Sequence, residues 1–144
     1  MMYIYSITNR IKVIRLFLSL ELESETPLYM QIRDQIIEGL ACGELQDGES
    51  LPSTRQLAMD FGINFHTVNK AYDMLRQEGI LRLNRKTGAI VSLTHADPSF
   101  ALAWTARLRV LLAEAHVKGM SSGIIDHAIR GIMASFQSQK EGEQ

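Results

Sequence analysis

Residues 51 to 91, LPSTRQLAMDFGINFHTVNKAYDMLRQEGILRLNRKTGAIV, constrain the fold more than any other part of the chain. Ser53 is placed as an N-cap, and Gln56 three residues on completes a capping-box pattern. The helix they open buries Leu57, Ala58 and Phe61. Gly62 follows where the chain must reverse, since a left-handed backbone suits a residue without Cβ. Ile63 plugs that turn and Asn64 caps the next helix. There Val68, Ala71, Tyr72 and Leu75 recur at i, i+3, i+4 and i+7, one buried stripe. The opposite face offers Phe65, His66, Asn69, Lys70 and Asp73 to the outside, and Gly79 ends the helix. The placing of Ala58, Gly62 and Val68 lets the two helices cross closely, which is helix-turn-helix spacing.

The second helix is narrow enough to enter a major groove. Beyond it, the apolar runs Ile80 to Leu83 and Ala89 to Leu93 flank Asn84-Arg85-Lys86-Thr87-Gly88. This predicts a hairpin with a basic, glycine-bearing tip, a shape that can lie against phosphates or a minor groove. The expected fold is therefore mainly α with a small β wing.

Three segments carry a family resemblance: PLYMQIRDQI from Pro27, GELQDGESLPSTRQLA from Gly43 and TVNKAYDMLRQEGI from Thr67. Together they resemble the winged-helix domain of the GntR family of bacterial transcription regulators, from about Pro27 to Val91. The short remainder is similar to the YtrA-type subfamily, which has no large effector domain. The resemblance implies a sequence-specific regulator of transcription that binds double-stranded operator DNA. YtrA-type members usually repress operons for membrane transporters, so it also implies repression.

By the same resemblance, Arg55 matches the arginine of the family's PSxR motif, which contacts DNA near the groove. Its fork of donors fits a guanine edge or a phosphate. Ser53 lies in the same motif. Asn64, Phe65, His66 and Thr67 open the recognition helix, where backbone N–H groups and the Thr67 hydroxyl can bind phosphate. Asn69 can reach an adenine edge and Lys70 a phosphate. Arg85, Lys86, Thr87 and Gly88 form the expected wing contact. Two positions depart from the family. Many members carry arginine where this chain has Phe65, and a phenylalanine cannot read guanine by hydrogen bonds, although it can pack on a thymine methyl. Gly88 is the one retained of two customary wing glycines, with Lys86 in the place of the other.

Charge does not advertise this function. The 144-residue chain carries a net charge of −1. Between residues 27 and 93, seven Lys and Arg stand against eight Asp and Glu, again −1. A DNA-binding field must then come from placement, and two domains acting together are expected to supply the affinity. The single Cys42 cannot form an internal disulfide, and no Cys/His spacing fits a zinc site. A reducing cytoplasm is the expected home, and no cofactor is expected.

Residues 1–15 interrupt apolar positions with Arg10, Lys12 and Arg15. That is too short and charged for a membrane span and lacks signal-peptide order. They read as an unassigned extension: a loose end, an added strand, or the product of a start placed too far upstream. The winged helix-turn-helix domain is placed at 16–94. From Leu16 to Leu22 a period-two strand is expected. Pro27 then opens a helix to about Ala41, with Leu28, Ile32, Ile36 and Leu40 on one side, widened by Tyr29 and Ile37. Tyr29 and Gln31 are read as bracing residues. Gly43 to Gly48 is a turn-rich connection; it lacks the Lys-Ser/Thr ending of a phosphate loop.

Residues 95–138 predict a two-helix dimerisation segment, followed by a polar tail at 139–144. One helix presents Phe100, Trp104, Leu108, Leu111, Leu112 and Ala115. After Gly119 and a Ser121 cap, the other presents Ile124, Ile125, Ala128, Ile129, Ile132, Met133 and Phe136. Two helices cannot bury both faces in themselves. The expected cover is the same hairpin of a second subunit, a four-helix isologous interface. The expected interface residues are Phe100, Trp104, Leu108, Leu111, Leu112, Ile125, Ile129, Ile132, Met133 and Phe136, with Trp104 and Phe136 as anchors. Packing onto the subunit's own winged domain is the competing arrangement. A twofold dimer would present two recognition helices to a pseudo-palindrome, and its seam leaves room for at most a small effector.

Catalysis finds no support. His66, His95, His116 and His127 are scattered, with no nucleophile elbow and no metal-ligand spacing. The remaining alternative is a winged-helix module that binds protein and not specific DNA.

Overall fold

A computed structural model describes residues 2–9, 12–85 and 88–137. The elements run β1 (Met2–Asn9), β2 (Lys12–Ser19), α1 (Leu28–Ala41), β3 (Ser50–Leu51), α2 (Thr54–Phe61), α3 (Phe65–Gln77), β4 (Leu81–Asn84), β5 (Gly88–Val91), α4 (Pro98–Val117) and α5 (Ser122–Ser135). The chain divides into two compact units, one running to Thr94 and the other beginning at His95. Among the described residues, no helix is long and apolar enough to cross a membrane.

The core of the first unit is built where three helices turn their apolar stripes inward. Ile32 and Ile36 of α1, Leu57 and Ala58 of α2, and Val68, Ala71, Tyr72 and Leu75 of α3 are all buried. Local signals fix the helix ends. The Ser53 hydroxyl accepts from the Gln56 amide at 3.1 Å, and Gly62 closes α2 at φ 63°, ψ 34°. The Asn64 side chain accepts from the His66 amide at 2.9 Å and starts α3. The Gln56 side chain also donates to the Asp60 carboxylate, at 3.1 and 3.2 Å.

A small antiparallel sheet of order β3-β5-β4 completes this unit. Its β3 is only two residues, paired Ser50↔Ile90 and Leu51↔Ala89, too short to show any periodicity in sequence. Leu45 and Leu51 join the core from the connection before α2. The second wing strand stops at Val91, short of the expected Leu93, because the ladder ends there. The Leu93 amide turns instead to the Asp47 carboxylate at 2.9 Å.

The N-terminal strand is also displaced from its expected span. Strand β2 covers Lys12–Ser19, not Leu16 to Leu22, and pairs antiparallel with β1 from Met2↔Ser19 to Asn9↔Lys12. The Gln35 side chain takes both the amide and the carbonyl of Ser19, at 2.8 and 2.7 Å. Gln31 does the same for Glu21 and also reaches the Thr26 carbonyl at 2.7 Å. The chain is thus drawn onto α1 immediately after Ser19, and Leu22 is left exposed. Pro27 sits at the N-cap with an extended backbone, so α1 begins one residue later, at Leu28.

Two further ties set the position of α3. Arg33 of α1 bonds Glu78 at the end of α3, at 2.9 and 3.1 Å. The buried Tyr72 hydroxyl donates to the Pro52 carbonyl at 2.7 Å, joining α3 to the segment that leads into α2. Burial pushes the Tyr72 phenol well above its ordinary pKa, so it stays a neutral donor. Tyr72→Phe keeps the ring and removes that donor. It is expected to cost about 1–2 kcal/mol in urea unfolding, because a buried carbonyl loses its partner.

In the second unit, Asp97 caps α4 by accepting from the Phe100 amide at 2.9 Å, while Ser99 donates to it at 2.6 Å. These bonds hold the Asp97 carboxyl below its usual range. The cap is therefore intact at neutral pH and is lost as pH falls through that lowered value. Gly119 reverses the chain at φ 79°, and the Ser121 hydroxyl accepts from the Ile124 amide to open α5. Neither α4 nor α5 contains a buried residue in the single chain.

Candidate nucleic-acid interface

Of the expected contact residues of α2 and α3, Arg55, Phe65 and His66 come together at the exposed start of α3. The Ser53 cap and Gly62 turn fix the two axes, and Arg55 projects outward from the first turn of α2. Its guanidinium carbon lies 5.8 Å from the centre of the Phe65 ring, within cation–π range. On the same ring His66 stacks at 4.2 Å between centroids, tilted by 37°. Phe65 is 37% exposed. Arg55, Phe65 and His66 thus form one contiguous group at the N-terminus of α3, where backbone N–H groups and the helix dipole favour an anion.

Farther along the outer face, Asn69 is half-buried and Lys70 exposed. The Lys70 ammonium sits 3.8 Å above the Tyr29 ring of α1. Tyr29, read from sequence only as a brace, therefore touches a proposed phosphate ligand. Its place on the edge of the α1 stripe was visible; its pairing with α3 depends on how the helices cross.

The cations of the helices differ in what they lie against. Arg33 is held by Glu78 and Asp34 at 2.9 and 2.7 Å, and Arg76 by Asp73 at 3.2 Å. Arg55 and Lys70 are exposed and lie instead against the Phe65 and Tyr29 rings. In the wing, Arg85 is exposed and Gly88 has φ 75°, a left-handed backbone that suits glycine. Lys86 and Thr87 lie outside the described residues. Among the described residues no cluster of His, Cys, Asp and Glu could hold a metal ion.

A helix-turn-helix with a paired wing and an outward, cation-bearing second helix defines a winged-helix DNA-binding transcription regulator. The chain belongs to the GntR family of bacterial regulatory proteins, whose family model matches residues 28–91. It is 32% identical over 124 residues to the HTH-type transcriptional repressor YtrA of Bacillus subtilis (strain 168), covering 83% of this chain and 95% of that protein. Among solved structures it is similar to YtrA from Sulfolobus acidocaldarius, a GntR-family transcription factor. There the identity is 41%, the TM-score 0.57, and the match covers 69% of this chain and 97% of that one. The fold is shared with a transcriptional antiterminator from Listeria monocytogenes EGD-e, at TM-score 0.72 and 24% identity over 80% of this chain and 91% of that one.

Proposed function

We propose that this protein is a cytoplasmic homodimeric repressor that binds a pseudo-palindromic operator. One α3 from each subunit enters the major groove, and the wing lies on the backbone or in the minor groove. The observation that carries this reading is the Arg55, Phe65 and His66 group at the exposed start of α3, with Lys70 on the same helix. In this arrangement Arg55 reads a base edge or clamps a phosphate, and Ser53, Asn64 and Thr67 bind backbone. Asn69 addresses an adenine edge, and Arg85, Lys86, Thr87 and Gly88 anchor the wing. Repression is supported by the repressor to which the chain is similar over most of its length. In this reading a small effector, where one acts, binds at the seam between subunits.

Gel-shift titration against duplexes from the protein's own promoter tests the reading. A steep inverse dependence on salt is expected, because each neutralised phosphate contributes about 0.9 to the log–log slope. A flat salt response, or no binding to any duplex, would favour the alternative of a protein-binding winged helix. Arg55→Ala is expected to weaken operator binding by about 5- to 150-fold, the worth of one bidentate base contact. Arg55→Lys keeps the charge and should recover only part of that loss.

A further inference from the structure

We infer that Tyr29 is a positioning residue for DNA binding: its ring seats Lys70 of the recognition helix and holds that ammonium ready for a phosphate. The inference rests on the DNA reading above and adds a residue to it. A lysine on an exposed helix face samples many rotamers of its four-carbon stem, and fixing them costs free energy when a phosphate is bound. Here the Lys70 ammonium lies 3.8 Å from the Tyr29 ring centre, well inside the range in which the quadrupole of an aromatic face attracts a cation. One face of the ammonium is then occupied by the ring, and its remaining N–H donors are left for solvent or a phosphate oxygen. The ring itself is anchored. Tyr29 packs against the core cluster, and α1 is tied to α3 by Arg33 and Glu78. The seat and the helix it serves therefore move together. With few cations to spend on a chain of net charge −1, holding one of them in place gains affinity without adding charge.

The test is a double-substitution cycle on the full-length chain, read by operator binding at several salt concentrations, with NMR of the free protein beside it. In the wild type the Lys70 ε-methylene protons should be shifted upfield by the ring current, and Tyr29→Leu should remove that shift. Tyr29→Leu should weaken binding by about 2- to 5-fold, the worth of an exposed cation–π contact. The salt slope should not change, since the lysine charge is still present. Lys70→Met should lower the slope by about one phosphate. In the Lys70→Met background Tyr29→Leu should add no further loss. Tyr29→Phe, which keeps the ring, should bind within about twofold of wild type.

An equal loss from Tyr29→Leu in both backgrounds would overturn the role, because the ring would then act through something other than Lys70. So would a Tyr29→Phe variant as weak as Tyr29→Leu. Absence of the upfield shift would remove the seat itself. A wild-type chain that shows the shift and binds no duplex would overturn the DNA reading instead, and the role of Tyr29 with it.

Discussion

Ile129→Glu is expected to convert the protein to a monomer and to weaken operator binding by at least about 100-fold, the scale on which two linked contacts exceed one. The reasoning begins with water. In the single chain Trp104 is 49% exposed and Ile132 56%, and no residue of α4 or α5 is buried. Of the proposed interface residues, Leu108, Ile125 and Phe136 are half-buried, and the rest are exposed. Each Ile or Leu fully covered by a partner contributes about 1.5–3 kcal/mol, so a second copy of the same two faces is a strong attraction. A carboxylate at position 129 would have to be desolvated at that seam without a partner, which costs several kcal/mol. The winged-helix unit has its own core and should keep its unfolding transition. Sedimentation equilibrium and gel shift on one sample check both halves of the expectation. Arg130→Gln, on the polar side of the same helix with Ser122 and Asp126, should leave both assembly and binding near wild type. An Ile129→Glu chain that is monomeric and binds its operator as tightly as before would mean that half-sites act alone. One that remains dimeric would place the interface elsewhere.

The helix-turn-helix was legible because its signals are local. Ser53, Gly62 and Asn64 each state a helix end by backbone chemistry, and the four stripe residues of α3 state a face by period. Likewise the apolar positions of α4 and α5 could be read from spacing, although in α4 Leu102, Val110 and Val117 are exposed outside the expected face. What could not be read depends on elements meeting across the chain. A two-residue strand such as β3 has no period, and it exists because β5 offers it a ladder. The end of β2 is set by Gln35 and Gln31 reaching back to Ser19 and Glu21, so the alternating leucines overran it to Leu22. The ring contacts of the interface are of the same kind. Phe65 was recognisable as a departure from the family's arginine, but its use as a surface for Arg55 and His66 follows only once α2 and α3 have crossed. Tyr29 under Lys70 follows only once α1 has joined them.

The joint between the recognition helix and the wing is where a single methyl group should do most damage to the fold. Gly79 ends α3 at φ 73°, and a Cβ built there would overlap the Thr94 hydroxyl. That hydroxyl is not free to leave. It donates to the Gly79 carbonyl at 3.1 Å, and the Thr94 amide donates to the same oxygen at 3.0 Å. Close by, the Ile80 amide bonds the Leu75 carbonyl at 2.9 Å and the Ser92 amide bonds the Ile80 carbonyl at 2.9 Å. Gly79→Ala therefore faces two costs together: a left-handed backbone for a residue with Cβ, about 1–2 kcal/mol, and displacement of a doubly bonded threonine. The expected loss is about 3 kcal/mol in urea unfolding. Thr94→Ala separates the two. Its methyl lacks the offending oxygen, and the Cβ of Thr94 lies 3.4 Å from the added carbon, an ordinary contact. In that background Gly79→Ala should cost only the backbone share, about 1–2 kcal/mol. Because β4 leaves this joint for the wing, the single variant should also lose the wing's contribution to binding, while Thr94→Ala alone should keep most of it. Equal costs in the two backgrounds would show that the steric overlap is relieved by a shift of the chain, and that the positive φ alone fixes glycine at this joint.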